Sequence, residues 1–304
     1  MIRAAAILAA AALLGLAAPA RAGDDDACHL YRLNQMDMSI TDDGVTVPMT
    51  VAGQKVELLI DTGGIYSMLT EDVVTALGLT PQRIAAAQFM MWGGGRIDRY
   101  VDATDIDLGG LKAPHMKFLV MPNGHMSAGL GGILAPEVLR AYDDDFDFAN
   151  GRFSLFSPRH CDGKVVYWAH DWSAIDFSVD EVGHVRLPLT LDGQNLKMTM
   201  DTGASASVMS LELAESLFGF DDKSPLLKRV ETEDGSAAYR YPFQALTFGG
   251  VTVSHPDILL VPDSVSHEIG AGRALLGIGV LRQLHLYIAY REKKLYVTAA
   301  GAHI

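Results

Sequence analysis

The chain has 304 residues, of which 49% are hydrophobic and 20% are charged, so it has enough apolar material for a large core. Its 37 acidic residues outnumber its 24 basic residues, and the net charge is −13. An acidic chain without a basic patch is unsuited to binding nucleic acid or an anionic membrane surface. The length alone predicts about two domains.

The N-terminal segment 1–22 is typical of a cleavable signal peptide. Arg3 precedes an apolar run over residues 4–18, and the small-residue sequence Ala20-Arg21-Ala22 follows it. This run is shorter and richer in alanine than the ~20 apolar residues of a membrane-spanning helix. No later segment is long and apolar enough to span a membrane. We therefore expect an exported protein, periplasmic or secreted, with no membrane span after cleavage; an uncleaved N-terminal anchor is the alternative.

The chain contains two cysteines, Cys28 and Cys161. An exported protein meets an oxidising compartment, in which cysteines commonly pair. A disulfide between these two would tie the N-terminal part of the mature chain to its middle. Two separate free thiols are the alternative.

The first half of the chain is predicted to form β-strands around an acidic turn. Residues 45–60 predict two strands joined by a turn at Ala52-Gly53-Gln54. The second strand is apolar and runs into Asp61-Thr62-Gly63, although a buried carboxylate is costly unless it is paired or functional. A short helix follows, with Thr70 as its N-cap and Gly78 at its end. Hairpins, an apolar strand, a second short helix and a last strand complete this half.

The second half of the chain repeats the first. Asp201-Thr202-Gly203 repeats Asp61-Thr62-Gly63, and the same offset along the chain relates Pro48 to Pro188 and Ser67 to Ser207. A tripeptide can recur by chance, but an offset shared over the whole stretch indicates two copies of one structural plan.

The second copy carries the same predicted elements in the same order. Two strands are joined by a turn at Asp192-Gly193, and Ser210 is placed to cap the helix that follows. A short helix after Gly277 and a last strand end the copy.

We predict a mostly β protein of two lobes related by a pseudo-twofold axis. After the signal peptide at residues 1–22, residues 23–156 form the N-terminal lobe and residues 185–304 form the C-terminal lobe. Residues 157–184 match nothing in the first half, so we interpret them as the connection, which could add strands between the lobes. Two lobes in one chain predict a monomer.

The pseudo-twofold symmetry would bring Asp61 and Asp201 face to face between the lobes. Two close carboxylates cannot both ionise easily, so they share a proton. One can then act as a base toward water, and the other as an acid toward a substrate carbonyl oxygen. Such a pair can hydrolyse a peptide bond with no cofactor, no metal and no covalent intermediate.

The residues beside the two aspartates suit such a pair. Gly63 and Gly203 allow a tight turn whose N–H groups approach the carboxylates. Thr62 and Thr202 can hydrogen-bond across the pseudo-twofold axis and hold the two loops in place.

Each Asp-Thr-Gly loop is preceded by an apolar strand and followed later by an apolar-apolar-small segment. This doubled pattern resembles the aspartic protease family of the pepsin and retropepsin type, and it is similar to exported bacterial retropepsin-like proteases. The resemblance covers residues 45–156 and 185–298. It implies two retropepsin-like β lobes with an active-site cleft between them, and Asp61 and Asp201 as the catalytic pair. It also implies an endopeptidase with a polypeptide substrate, here an exported or envelope protein.

In this family a β-hairpin flap closes over the substrate. The resemblance places the candidate flaps at residues 90–98 and 231–239, with Gly94 and Gly235 near their tips. Trp92 could pack on a bound peptide, and ordinary packing within the hairpin is the alternative.

The first loop departs from the family pattern. Ser205 is placed to donate its hydroxyl to the aspartate of the second loop, whereas Ile65 stands at the matching position of the first. A lost donor raises a carboxyl pKa, so we expect Asp61 to be the more readily protonated partner. Further along, Ala135 stands where the second lobe has Gly277, which adds a methyl group where two chain segments cross closely.

Two other interpretations of the paired loops stay open. The two aspartates could belong to ordinary solvated turns, because Asp and Gly favour turns. A bilobal protein with a damaged first loop could also bind extended peptides without cutting them, as a catalytically weak or inactive module.

Other chemistries find little support in the sequence. The His-Glu-x-x-His and Cys-x-x-Cys spacings of zinc sites are missing, and residues 203–207 do not have the Gly-x-Ser-x-Gly pattern of a serine nucleophile. The glycine-rich segments lack the pattern of a dinucleotide-binding loop. We interpret the acidic run at residues 143–145 as a solvated face.

Overall fold

The computed structural model describes residues 28–41, 44–85, 90–92, 95–231, 237–264 and 274–302, with the backbone alone at 90–92 and 95. The predicted signal peptide at residues 1–22 lies outside these ranges. The described chain is mostly β, and its helices are short: α1 Glu71–Ala76, α2 Pro136–Leu139, α3 Leu211–Phe218 and α4 Ile278–Leu281.

The strands of the N-terminal half are β1 Arg32–Asp37, β2 Ser39–Thr41, β3 Gly44–Val51, β4 Gln54–Ile60, β5 Met68–Thr70, β6 Gln82–Arg83, β7 Met90–Trp92, β8 Gly95–Ile97, β9 Arg99–Leu108, β10 Leu111–Met121, β11 Gly132–Leu134, β12 Asp143–Asp147 and β13 Arg152–Phe156. The connection and the C-terminal half contribute β14 Ser173–Asp176, β15 Ser178–Val179, β16 Val185–Leu191, β17 Gln194–Met200, β18 Ser207–Ser210, β19 Lys228–Glu231, β20 Ala237–Arg240, β21 Ala245–Phe248, β22 Val251–Ser254, β23 Ile258–Val261, β24 Ala274–Leu276, β25 Leu284–Ala289 and β26 Lys294–Ala299.

The two lobes are built on matching sheets. The first lobe has the strand order β2-β3-β4-β11-β5-β10-β9-β6. The second has the order β19-β20-β23-β18-β24-β17-β16-β21-β22, with β15 beside β16. The central stretch β3-β4-β11-β5-β10 therefore has its counterpart in β16-β17-β24-β18-β23. The repeat in the sequence is a repeat in the structure.

The hairpin turns and helix caps lie where the sequence predicts them. Residues 52–53 join β3 to β4, and residues 192–193 join β16 to β17. Thr70 accepts a hydrogen bond from the N–H of Val73 at the start of α1. Ser210 accepts one from Leu213 at the start of α3. These local signals are satisfied within a few residues of the chain, which is why a sequence reveals them.

One hydrophobic core extends through both lobes. Along β16 the buried positions alternate, so that Val185, Leu187, Leu189 and Leu191 face inward. This is the two-residue period of a strand with one side on the core. No helix of the described residues has the length and apolar character needed to cross a membrane.

A third sheet of six strands joins the lobes, in the order β1-β13-β12-β25-β26-β14. Strands β12 and β25 pair antiparallel where the contributions of the two lobes meet. Strand β14, from residues 157–184, adds an edge strand to this sheet. Cys28 and Cys161 form a disulfide with an S–S distance of 2.09 Å, which ties the start of the described chain to this connecting segment.

The acidic run at residues 143–145 lies inside this joining sheet, so its interpretation as a solvated face is wrong. Asp143, Asp144 and Asp145 are on β12, between β13 and β25, and are at most 1% exposed. Burial raises the pKa of Asp144 well above its ordinary value. Buried carboxylates need partners, and here the partners come from distant parts of the chain.

Histidine and tyrosine side chains supply these partners. The Nε2 atom of His160 lies 2.5 Å from Oδ2 of Asp143, and Nε2 of His285 lies 2.7 Å from Oδ1 of Asp145. Tyr290 donates its hydroxyl to Asp144 at 3.1 Å. The joining sheet is therefore stabilised by buried polar pairs as well as by apolar contacts.

We expect His160→Gln to lower the free energy of unfolding by ~3 kcal/mol at about pH 6, because it removes one partner of a buried pair. The hydrogen bond to Asp143 raises the pKa of His160. The stability that this pair contributes is therefore present below the ordinary histidine pKa and is lost as the pH rises through the folded-state value. Urea unfolding of the wild type and the variant across this range measures the difference.

The control for this prediction is His115→Gln. His115 also contacts an aspartate, with Nδ1 3.2 Å from Oδ1 of Asp102, but its side chain is 62% exposed. Its loss should change stability little at any pH. A difference between the wild type and His160→Gln that grows toward alkaline pH would contradict the prediction.

Candidate active site

The two Asp-Thr-Gly loops occupy equivalent places at the ends of β4 and β17. The N–H of Asp61 donates to the carbonyl of Leu134 on β11 at 2.9 Å, and the N–H of Asp201 donates to Leu276 on β24 at 3.0 Å. Strand β11 runs parallel to β4, and β24 runs parallel to β17. Each aspartate is thus fixed at the junction of two core strands.

The two threonines hold the loops together across the interface between the lobes. The N–H of Thr62 donates to the hydroxyl of Thr202 at 3.2 Å, and the N–H of Thr202 donates to Thr62 at 3.0 Å. Each hydroxyl in turn donates to the opposite strand, Thr62 to the carbonyl of Met200 at 2.9 Å and Thr202 to that of Ile60 at 2.5 Å. The interlock expected from the sequence is present and buried.

The glycine of each loop packs against the aspartate of the other loop. A methyl group on Gly63 would lie 2.3 Å from Cγ of Asp201, and one on Gly203 would lie 2.7 Å from Cγ of Asp61. Only glycine leaves room for such an approach. Each glycine N–H also donates to its own aspartate, at 3.0 Å for Gly63 and 2.9 Å for Gly203. The two carboxyl groups therefore lie on either side of the interface between the loops, each against the glycine of the opposite loop.

The surroundings raise the pKa of both carboxyl groups unequally. Burial, the charge of Asp201 and a hydrogen bond with its side chain together raise the pKa of Asp61 well above its ordinary value. Burial also raises the pKa of Asp201, but the hydrogen bond from Asp61, the N–H groups of Gly203 and Ala204 and the charge of His184 oppose it. The pKa of both carboxyl groups is therefore raised by burial, and the larger rise is at Asp61.

The cause of this asymmetry is not the one that the sequence suggested. Ser205 is exposed in the cleft, and among the described residues its hydroxyl makes no hydrogen bond to Asp201. The difference between the loops thus owes nothing to a hydroxyl that Ile65 lacks. The charge of Asp201 raises the pKa of Asp61, whereas the charge of His184 lowers the pKa of Asp201.

The first lobe has alanine at position 135 where the second has Gly277, and its catalytic loop has glycine at position 64 where the second has Ala204. Ala135 faces Gly64, where a methyl would lie 3.4 Å from the Ala135 side chain. In the second lobe Gly277 faces a loop that carries Ala204. The distance of 3.4 Å is an ordinary van der Waals contact, so the methyl group of Ala135 does not crowd the first loop; a methyl on Gly64 would instead meet Oδ2 of Asp61 at 2.7 Å.

Two serines anchor these crossing segments. Ser67 accepts a hydrogen bond from the N–H of Ala135, and Ser207 accepts one from the N–H of Gly277, both at 3.0 Å. The offset in the sequence pairs these serines, but their partners become visible only in the structure.

A pocket of about 670 Å³ opens beside Asp61 and is lined by both lobes. The second lobe contributes residues 203–206, and the first contributes residues 124–127. The remaining lining side chains are mostly apolar: Leu59, Leu130, Ile133, Val208, Leu259 and Leu275. The carboxyl pair therefore faces a cleft that can accept apolar side chains.

Both candidate flap segments contain antiparallel strand pairs. Strand β7 pairs with β8, and β19 pairs with β20. The backbone of Trp92 lies in β7, whereas its side chain and the residues Gly94 and Gly235 lie outside the described part of the chain. Their proposed roles at the flaps stay predictions.

His184 is a residue near the site that the sequence reasoning missed. Its Nε2 atom lies 3.1 Å from the carbonyl oxygen of Gly64 in the first loop. The offset that relates Asp61 to Asp201 also relates Gly44 to His184, and extending the repeat to this pair could have drawn attention to it. In the ranges that the structure covers, no group of three His, Cys, Asp or Glu side chains could hold a metal ion.

Comparisons with known proteins agree with this geometry. A search of curated proteins finds no match. Among solved structures, the chain is similar to an aspartic proteinase from Irpex lacteus, with a TM-score of 0.56 and 12% identity over 88% of this chain and 97% of that chain. At this identity the likeness concerns the two-lobed fold alone.

The aspartyl protease family model matches residues 47–134 and 187–280, and each segment contains one Asp-Thr-Gly loop. Because the matched segments together cover more than half of its length, the chain belongs to the aspartyl protease family.

Proposed function

We propose that the chain is an aspartic endopeptidase that hydrolyses peptide bonds with a water molecule activated between Asp61 and Asp201. The observation that carries this proposal is the packing of the two Asp-Thr-Gly loops, in which each glycine lies against the carboxylate of the opposite loop and the two threonines interlock. Burial raises the pKa of both carboxyl groups. Two carboxylates that share one proton are the working arrangement of aspartic proteases.

The reaction proceeds in two proton-transfer steps. The carboxylate of Asp201 takes a proton from water while the water oxygen attacks the carbonyl carbon, and Asp61 gives its proton to the carbonyl oxygen. The resulting tetrahedral diol collapses when Asp61 takes a proton back from one hydroxyl and Asp201 gives its proton to the amide nitrogen. The C–N bond then breaks, and the products are a carboxylic acid and an amine.

This division of roles predicts the shape of the pH profile. Activity is lost at low pH, when Asp201 takes up a second proton, and at high pH, when Asp61 loses the shared one. Because the two groups interact, both limits belong to the pair.

The substrate is an extended polypeptide. The apolar lining of the pocket supports apolar side chains next to the scissile bond. One chain supplies both halves of the site, which supports a monomer as the working form.

The proposed activity is tested by incubating unfolded protein and short peptides with the purified chain from acid to neutral pH. Mass spectrometry of the products should show internal cleavage by the wild type. An Asp201→Asn sample purified in the same way should show none, which rules out a contaminating protease. A correctly folded wild type that cleaves nothing at any pH would leave peptide binding without hydrolysis as the function.

We also propose that the protein is exported and acts on exported or envelope proteins. The N-terminal segment 1–22 supports this, and so does the Cys28–Cys161 disulfide, which suits an oxidising compartment. Cell fractionation with N-terminal sequencing should find a chain that begins after Ala22 outside the cytoplasm. A full-length chain in the cytoplasm would contradict the proposal.

A further inference from the structure

The hairpin β15–β16 of the second lobe reaches across to the first catalytic loop. Its turn, residues 180–184, ends with His184 against the carbonyl of Gly64. The counterpart in the first lobe is the hairpin β2–β3, where a methyl on Gly44 would lie 2.7 Å from the carbonyl oxygen of Thr202. Each hairpin thus touches the opposite loop, and the second does so with an ionisable side chain, His184.

Both ring nitrogens of His184 face acceptors. The Nε2 atom lies 3.1 Å from the backbone oxygen of Gly64, and Nδ1 lies 3.1 Å from Oδ2 of Asp180. A backbone carbonyl and a carboxylate only accept hydrogen bonds. Both contacts are therefore hydrogen bonds only when the ring carries two protons, that is, as an imidazolium.

Asp180 is built to hold this ring. Its Oδ1 accepts the N–H groups of Val182 and Gly183 at 3.1 Å and of His184 at 2.9 Å. Partial burial works to raise the pKa of Asp180, but these hydrogen bonds and the charge of His184 outweigh it and lower the pKa. The carboxylate is thus ionised over the range in which a histidine titrates.

Other charged groups of the described residues lie around His184. Asp201 lies close enough for the charge of His184 to lower its pKa. Arg140, the C-cap of α2, lies beside Gly183 in the same turn, and Glu181 of the turn is exposed. Asp180 and Asp201 both favour a positive charge on the ring, whereas Arg140 opposes it.

We propose that His184 is a positioning residue that, held by Asp180, fixes the carbonyl of Gly64 and with it the loop of Asp61, and that it brings a positive charge to the side of the carboxyl pair. The inference rests on the proposed function, because it assigns to His184 a role at the same carboxyl pair. His184 acts through these two residues and does not touch the reacting atoms.

This role accounts for an asymmetry between two otherwise matching loops. The first loop has Gly64 and Ile65 where the second has Ala204 and Ser205. Gly64 has no side chain to restrict its backbone, whereas Ala204 has a methyl group, and the imidazolium from the other lobe supplies a fixed hydrogen bond to the carbonyl of Gly64. It also provides the positive charge that makes Asp201, rather than Asp61, the base.

Kinetics of His184→Gln and His184→Arg test the proposal. Glutamine can hydrogen-bond but carries no charge, so kcat should fall about 10-fold through misplacement of the loop, with KM little changed. The acid limb of the pH profile should move upward by about half a pH unit, because Asp201 loses a stabilising charge. Arginine keeps the charge and several donors, so it should return the acid limb to its wild-type position.

The control is His115→Gln, which removes a histidine–aspartate contact on the exposed side of β10 and should leave both kcat and the pH limb unchanged. Thermal unfolding checks that all variants are folded. A wild-type kcat and acid limb in His184→Gln would overturn the proposal. An acid limb displaced equally in the Gln and Arg variants would also overturn it, because the displacement would then not depend on charge.

A second measurement does not depend on hydrolysis. In NMR spectra of the wild type with ¹⁵N-labelled histidine, both ring N–H protons of His184 should exchange slowly with water, unlike those of His115. Asp180→Asn should abolish this protection. If the wild type cleaves no peptide, the proposed function fails while this result still decides the charge state of His184. If one ring nitrogen of His184 is unprotonated at acidic pH, the inference is overturned.

Discussion

Replacing Asp61 with asparagine is expected to abolish peptide hydrolysis and, at neutral pH, to raise the stability of the fold. The catalytic loss should be about 10⁴-fold or more in kcat/KM, because the variant has no proton to give to the carbonyl oxygen. The gain in stability should be on the order of 1–2 kcal/mol, because the wild type must keep a carboxyl group protonated in a buried, acidic site.

The sign of the stability change follows from the direction of the pKa shift. In the unfolded chain the carboxyl group ionises near its ordinary pKa of about 4. In the folded chain burial and the charge of Asp201 raise the pKa of Asp61, so the folded state keeps its proton to higher pH. Wild-type stability therefore falls as the pH rises between these two values, and asparagine removes this loss.

Urea unfolding across acid and neutral pH measures this difference. The stabilities of the wild type and Asp61→Asn should converge below about pH 4, where the unfolded carboxyl group is also protonated. Asp37→Asn, at an exposed position at the end of β1, is the control and should show no such divergence. A variant that is less stable than the wild type at neutral pH would show that the shared proton contributes more than the burial of the charge costs.

Asp201→Asn should also abolish hydrolysis, but with a smaller gain in stability. The hydrogen bond from Asp61, two backbone N–H groups and His184 all oppose the effect of burial on the pKa of Asp201. Asparagine keeps one acceptor oxygen but removes the negative charge that these groups stabilise. A larger gain for Asp201→Asn than for Asp61→Asn would reverse the assignment of acid and base.

Features with local causes, and features repeated in both halves, could be predicted from the sequence. The turn at residues 192–193 and the caps at Thr70 and Ser210 depend on neighbouring residues. Asp61 and Asp201 are far apart in the sequence, but their proximity could be predicted because the repeat indicates two lobes related by symmetry. Two copies of one lobe related by a twofold axis must bring equivalent loops together.

Features that depend on partners outside the repeat could not be predicted. The acidic run on β12 is buried because His160, His285 and Tyr290, all far away in sequence, come to lie against it. Charged side chains usually lie in solvent, and the aspartates of β12 are buried because the joining sheet provides them with partners. His184 escaped notice for a related reason, because its contacts with Asp180 and the carbonyl of Gly64 have no equivalent at Gly44, its counterpart in the first half.

The first lobe has Ala135 where the second lobe has Gly277, and this difference leads to the second large prediction. Gly277→Ala should lower the free energy of unfolding by about 3 kcal/mol or more. A methyl on Gly277 would lie 2.3 Å from the backbone oxygen of Ala206 and 2.8 Å from that of Ala204. These are main-chain atoms of the second catalytic loop, so no rotation of a side chain can relieve the contact.

The reverse change in the first lobe is the matched control. Ala135→Gly removes a buried methyl group and adds backbone freedom, for a loss of about 1 kcal/mol. Urea unfolding should therefore rank Gly277→Ala well below Ala135→Gly. Equal losses would show that the second loop can move aside as freely as the first.

Measurements of kcat distinguish a displaced catalytic loop from a fold that is less stable but otherwise unchanged. At a temperature where Gly277→Ala is still folded, kcat should fall about 100-fold, because a shift of the 204–206 backbone carries Asp201 out of line with Asp61. Ala135→Gly should keep kcat within a few-fold of the wild type, because Ser67 still accepts the N–H of residue 135 and holds the crossing segment in place. The two lobes thus share a fold but differ in whether a methyl group fits where two chain segments cross. The crossing at Gly277 has no room for one, and the crossing at Ala135 already contains one.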